Sequence, residues 1–170
     1  LEPEHISSYS LIIEEGTPFY ERYADNPPVD EDTDRWMYER TREVLGAAGY
    51  ERYEISNYAK EGQECRHNLK YWQRQEYLGM GLGASSFLSH TRFSNDRDIP
   101  AYEESIAAGG CPVAEREELS VEDEMAEFMY LGLRCMRGVS GARFQKCFGT
   151  DIFERFGKEI SRCQQQGLLE

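Results

Sequence analysis

No apolar run in this sequence approaches the roughly 20 residues that a membrane-crossing helix needs, so no membrane span is expected. The opening Leu1-Glu2-Pro3-Glu4 has neither the basic start nor the apolar centre of a secretory signal. Basic charge is also scarce: 19 Lys and Arg stand against 32 Asp and Glu, a formal net charge of −13. A surface of that sign repels phosphate backbones and anionic membranes, so no nucleic acid is expected as a partner. The cysteines lack ligand spacing. Cys65, Cys111, Cys135, Cys147 and Cys163 are odd in number and include no C-x-x-C or C-x-x-x-C pair. They read as reduced thiols of a cytoplasmic protein. A Cys65/His67 metal pair would need a second pair at similar spacing, which is missing.

What is present is a globular composition, with 39% hydrophobic, 12% aromatic and 30% charged residues over 170 positions, enough for one medium domain. The chain has no initiator methionine and opens directly on a strand-like segment; both ends read as cuts within a longer protein. Residues 5–13, HISSYSLII, are β-branched and apolar and predict a strand. Glu14 to Pro18 is turn chemistry, and Ala24–Val29 is a loop. From about Asp30 to Ala48 the pattern is helical, with acidic residues in the first turns, an apolar face of Met37, Val44, Leu45 and Ala48, and Gly49 as the stop. Tyr50–Ile55 is a second strand. Strand, helix, strand predicts a βαβ unit, with chemistry at the strand C-terminal ends, in loops 14–17 and 56–59.

The chemistry-bearing stretch is Glu64–Leu88, and within it His67-Asn68-Leu69-Lys70-Tyr71-Trp72. As one helical turn this run puts His67 and Tyr71 on a common face. Tyr77–Leu88 reads as a strand with Gly79, Gly81 and Gly83 at alternate positions. Such a bare face suits tight backbone packing or a cofactor lying on it, and the pattern does not choose between them. Arg92–Asn95 is a fourth short strand, Pro100–Ala108 a helix, and 111–119 a linker between 1–110 and 120–170. The last part is all helix. Ser120 and Asp123 form a capping box ahead of a stripe of Met125, Phe128, Met129, Leu133 and Met136. Phe144 and Cys147 face inward on a second helix, and Ile152, Phe156, Ile160 and Cys163 on a third, a winged-helix-like set. The third helix carries mixed charge, not a phosphate-binding face. His5 and His90 are isolated and read as structural, although His90 is a rival to His67 as a ligand.

The blocks H-I-S-S-Y-S-L, E-x-G-T-P-F-Y, Y-E-I-S-N-Y-A, C-R-H-N-L-K-Y-W and Y-L-G-M-G-L-G-A, then G-V-S followed by F and F-G, come in a fixed order. In that order the chain resembles the HemW-like, heme-chaperone branch of the oxygen-independent coproporphyrinogen III oxidase-like family of radical S-adenosylmethionine (SAM) proteins. The resemblance covers nearly the whole chain. It implies an α/β fold: the last strands of a partial (β/α) barrel followed by a small helical domain. It implies a [4Fe-4S] cluster and SAM in the full protein, the cluster on a C-x-x-x-C-x-x-C motif that is absent here. It implies heme binding at His67, Asn68, Tyr71 and Trp72, with His67 on the iron, and SAM passing near Tyr58, Gly79, Gly81 and Gly83. A heme-accepting protein would be the partner. One departure is Ser85, where family members often carry histidine. On the residues alone, the favoured reading is a loop histidine bonded to the backbone at His67, with Tyr71 and Trp72 as core. The rival functions are the oxidase itself, which decarboxylates propionates by radical chemistry, and an interaction module without catalysis.

Overall fold

The computed structural model describes all residues, Leu1–Glu170. Two compact units divide it, residues 1–66 and 67–170.

The first unit is a three-stranded sheet with two helices. Strand β1 is His5–Ser7, helix α1 Pro18–Tyr23, helix α2 Glu31–Ala47, strand β2 Glu51–Glu54 and strand β3 Asn57–Ala59. The order is β1-β3-β2, with β3 antiparallel to both neighbours. β1 and β2 therefore run in the same direction across the α2 connection, as a βαβ unit requires, but they are not adjacent: β3 lies between them. The expected loop at 56–59 is this central strand. All three of its residues are buried, and Tyr58 is only 1% exposed.

Polar side chains fix the register. Glu54 Oε1 accepts from the Ser56 N–H and the Asn57 amide, and the Ser7 hydroxyl donates to Asn57 Oδ1. A buried polar group needs such partners to be tolerated. His5 is satisfied by the Tyr53 hydroxyl at 2.9 Å. The strand expected over 5–13 stops at Ser7, since no neighbour pairs beyond it. Helix α1 was not expected. Its hydroxyl cap at Thr17 and Pro18 in the first turn are the local cause. Helix α2 starts as expected at Asp30, whose carboxyl is held below the usual aspartate range mainly by the Thr33 N–H. Its less exposed stripe is Asp34, Tyr38, Thr41 and Leu45, so Met37 and Val44 lie on the open side instead.

The second unit opens with helix α3, Arg66–Trp72. Strands β4 (Ser85–Leu88), β5 (Thr91–Asn95) and β6 (Val113–Glu118) form an antiparallel sheet in that order, with helix α4, Ile99–Ala107, in the connection to β6. Residues 113–118, expected within a linker, are therefore a paired strand. The reason is register: every residue of Thr91–Ser94 faces a residue of Glu115–Glu118. Residues 77–84, expected as strand, are irregular, with a bend and turn at 81–83 and one isolated bridge between Tyr77 and Phe87.

Helices α5 (Val121–Gly132), α6 (Gly141–Phe148) and α7 (Ile152–Gln165) follow. The Ser120/Asp123 capping box is present, and Ser140 and Asp151 cap the other two. Their core is Met125, Phe128, Phe144 and Ile152, flanked by Met129, Val139, Phe148, Phe156 and Ile160. Phe144 meets Phe128 edge-on at 5.4 Å and Phe148 at 4.8 Å. Leu133, Met136 and Cys147 are exposed, so the expected stripe stops short at its C-terminal end and Cys147 points outward.

Phe144→Ala should cost about 3–5 kcal/mol of stability, read as a lowered urea midpoint, whereas Cys147→Ser should stay within about 0.5 kcal/mol. A second expectation concerns pH. Burial raises the pKa of Tyr58, against the pull of Arg52, and burial likewise raises that of Tyr77. Folding thus favours the neutral phenols. Their contribution is full below the unfolded tyrosine value near 10 and is lost as pH rises above it. The urea midpoint should fall between about pH 9 and pH 11, and the Tyr58→Phe/Tyr77→Phe double variant should show a shallower fall.

Candidate functional site

The four residues of the H-N-x-x-Y-W run sit on α3. His67 is exposed, and its Nε2 lies 3.1 Å from the Tyr71 hydroxyl, one helical turn on. The two rings meet edge-on at 5.0 Å. Tyr71 in turn meets Tyr77 edge-on at 4.7 Å. Asn68 is half-buried beside them. Trp72 is also half-buried, and the Arg134 guanidinium lies 4.3 Å from its ring centroid. That face of the indole is therefore occupied by protein, which sequence reasoning had left open for a porphyrin.

Helix α3 ends on an unusual residue. Gln75 N–H bonds Lys70 C=O and Arg74 N–H bonds Tyr71 C=O, the pattern of a left-handed helix stop. Glycine normally takes that position, but here Arg74 adopts a φ of 51°. The strain is offset by what the side chain reaches. Arg74 Nη1 is 2.9 Å from Glu124 and its Nε 3.0 Å from Glu127. Arg92 Nη1 lies 2.8 Å from the other Glu127 oxygen, and His90 Nδ1 lies 2.5 Å from Glu124. Both glutamates are only 5% exposed. The two guanidiniums also flank Phe87, at 4.5 and 5.7 Å from its centroid. Burial works against the charge of Arg92, but Glu127 and Tyr77 outweigh it and hold its pKa above the ordinary arginine value. Arg143 of α6 donates to the Gln73 carbonyl at the same helix end.

Helices α5 and α6 thus hold the C-terminal end of α3, and His67 projects from the other end. Arg74, Arg92, Glu124, Glu127, Arg134 and Arg143 were not singled out from sequence. The available signal was Glu124 and Glu127, three apart and each directly before an apolar core residue, Met125 and Phe128. His90, a rival ligand on sequence grounds, is engaged by Glu124.

The glycines have backbone explanations. A Cβ on Gly79 would collide with the Ser85 carbonyl, and Gly81 and Gly83 have φ of 103° and 64°. The turn is pinned by Gly83 N–H to Asp96 C=O at 2.8 Å and by the Asn95 amide to Gly81 C=O at 2.8 Å. Between the glycines Met80 and Leu82 are exposed, Met80 to 87%, as is Leu78 just before them. Tyr58 lies enclosed in the first unit's sheet. No group of three His, Cys, Asp or Glu side chains is arranged to hold a metal ion. No helix is long and apolar enough to cross a membrane.

Residues 119–170 match the family model described as the HemN C-terminal domain. Over 97% of the chain the fold superposes, with a TM-score of 0.70 and 14% identity, on 41% of a solved structure titled "Coproporphyrinogen III oxidase (HemN) from Escherichia coli is a Radical SAM enzyme". The chain belongs to the coproporphyrinogen III oxidase-like radical SAM family. Within it the chain falls in the HemW-like branch: it is 36% identical to the Heme chaperone HemW of Bacillus subtilis over 99% of its own length and 45% of that protein's. It is also 31% identical to the Bos taurus protein named Radical S-adenosyl methionine domain-containing protein 1, mitochondrial, over 98% of this chain and 40% of that one. The chain therefore spans less than half the length of these relatives.

Removing one carboxylate of the buried cluster leaves two guanidiniums without a shared anion. Glu127→Ala should destabilise by about 3–5 kcal/mol. Glu122→Ala, which removes an exposed carboxylate 3.8 Å from Arg155, should change stability by less than about 1 kcal/mol. Urea unfolding of both variants, followed by circular dichroism, checks the contrast.

Proposed function

We propose that this chain is the heme-handling portion of a heme chaperone: it binds heme and passes it to an acceptor protein, without catalysing porphyrin chemistry. The observation that carries this reading is the state of His67, an exposed imidazole on a helix whose far end is clamped by buried ion pairs. A neutral imidazole is a common axial ligand of heme iron. For ligation through Nε2 the imidazole exchanges the Tyr71 hydroxyl for the iron, and the hydroxyl remains beside it to retake the ring when the cargo leaves. Tyr71 is thus a positioning residue. Trp72 braces the helix, since Arg134 covers one of its faces. Asn68, half-buried between them, lines the same turn.

The relatives named as radical SAM proteins support SAM in the whole protein. We place the [4Fe-4S] cluster in sequence beyond these residues, because the five cysteines here have no C-x-x-x-C-x-x-C spacing. The five free thiols support a reducing, cytoplasmic setting. The heme acceptor is a protein that the chain does not identify.

A hemin titration of the full-length protein, followed at the Soret band, tests the reading. A saturable shift should appear in the wild type and be lost or displaced in His67→Ala. An unchanged spectrum and affinity in that variant would remove His67 as ligand. No shift in the wild type, combined with SAM-dependent turnover of coproporphyrinogen III, would establish the oxidase instead.

A further inference from the structure

The buried network pairs Arg74 and Arg92 with carboxylates, although Arg74 Nη2 and Arg92 Nε are themselves buried without an acceptor; Arg134 has no carboxylate partner at all. It lies in the turn after α5, with its N–H bonded to Leu131 C=O at 3.2 Å, and its guanidinium rests on Trp72. No acidic side chain comes within ion-pairing distance, although the chain holds 32 Asp and Glu. Its Nε is buried and lacks an acceptor, and so is the Trp72 indole nitrogen, Nε1. Two N–H donors, one on a permanent cation, are thus unsatisfied side by side. A buried donor left without an acceptor costs about 1–3 kcal/mol. An incoming oxygen anion would relieve both, and a planar guanidinium fits a carboxylate best. Trp72 lies five residues beyond His67, about 7.5 Å along the helix axis and about 140° around it, at 1.5 Å per residue and 3.6 residues per turn. A ligand that meets both has to reach past the flank of the helix, which suits a macrocycle with side arms rather than a single small ion.

We infer that Arg134, seated on Trp72, is the cation that receives a propionate carboxylate of the tetrapyrrole bound at His67. This rests on the heme reading above. Arg134 swings part of its guanidinium off the indole to meet the carboxylate, and the indole N–H becomes available to the same anion. The feature recognised is the propionate itself, so heme and any propionate-bearing precursor share it. Lys70, on α3 between His67 and Trp72, is the competing cation.

The experiment compares hemin with hemin dimethyl ester, whose propionates are capped, by Soret titration of the full-length protein. The wild type should bind hemin about tenfold more tightly than the diester, the equivalent of about 1.4 kcal/mol. Arg134→Gln should lose that preference while keeping the diester affinity and the Soret position of the His67-bound form. Lys70→Gln should keep the preference. Equal binding of hemin and diester by the wild type overturns the inference without recourse to any variant. So does a preference that survives Arg134→Gln, or one that disappears in Lys70→Gln and not in Arg134→Gln. A wild type with no saturable Soret shift removes the heme reading and this inference together. A shift with an unaltered preference in Arg134→Gln removes only this one.

Discussion

The second unit depends on one buried charge cluster, Arg74 and Arg92 against Glu124 and Glu127. Four elements meet there: the end of α3, the turn between β4 and β5 through His90, strand β5 through Arg92, and α5. The formal charges balance, two against two, before His90 is counted. A buried pair of this kind is weak evidence for net stability, because desolvation consumes most of the Coulomb gain. Its value here lies in placement. Removing one member is costly, so the elements have one mutual arrangement in which every charge has a partner. The left-handed backbone of Arg74 follows from this: a glycine would end the helix with less strain but could not reach the glutamates.

That anchoring explains how a seven-residue helix can hold its place beside α5 and α6. Short isolated helices are marginal in water. The C-terminal end of α3 is held three times, by Arg74, by Arg143 on the Gln73 carbonyl, and by Arg134 on Trp72. At the other end the Cys65 N–H, just before α3, bonds the Tyr53 hydroxyl at 3.3 Å, and the only side-chain hydrogen bond of the His67 ring is to Tyr71 of the same helix. The seven residues thus run from an open imidazole to a tryptophan packed under a guanidinium. The residues of the motif divide accordingly: His67 bonds Tyr71 at the open end, and Trp72 packs under Arg134 at the other.

Much of this was legible in the sequence. Helix α2, the helices after Ser120 and the i, i+4 pairing of His67 with Tyr71 follow from local periodicity and capping, which short segments encode by themselves. What was misread depends on partners distant in sequence. Asn57–Ala59 looks like a loop because nothing local shows that Ser7 and Glu54 will satisfy Asn57. Val113–Glu118 looks like a linker because its alternation is masked by charge, and only the register with β5 makes it a strand. The alternating glycines suggested a strand, yet positive φ at Gly81 and Gly83 and the crowding at Gly79 require turns. For the candidate site, the pairing of His67 with Tyr71 was legible and the support of its helix was not. Arg74 carries no helix-stop signature, and Arg134 is one arginine among many until its position over Trp72 is known.

A carrier and an enzyme place opposite demands on such a site. Catalysis gains from a closed, dry cavity in which charges are fixed around the reacting atoms. Transfer requires that the cargo leave, so the ligand must be reachable and its alternative partner must be close at hand. His67 meets the second description: it is open to solvent, and Tyr71 offers a replacement hydrogen bond without any backbone movement. The charge pattern points the same way. Under the proposed heme reading, a chain at −13 would repel a dianionic porphyrin at long range, so binding would be concentrated in a few local contacts that an acceptor could replace one at a time.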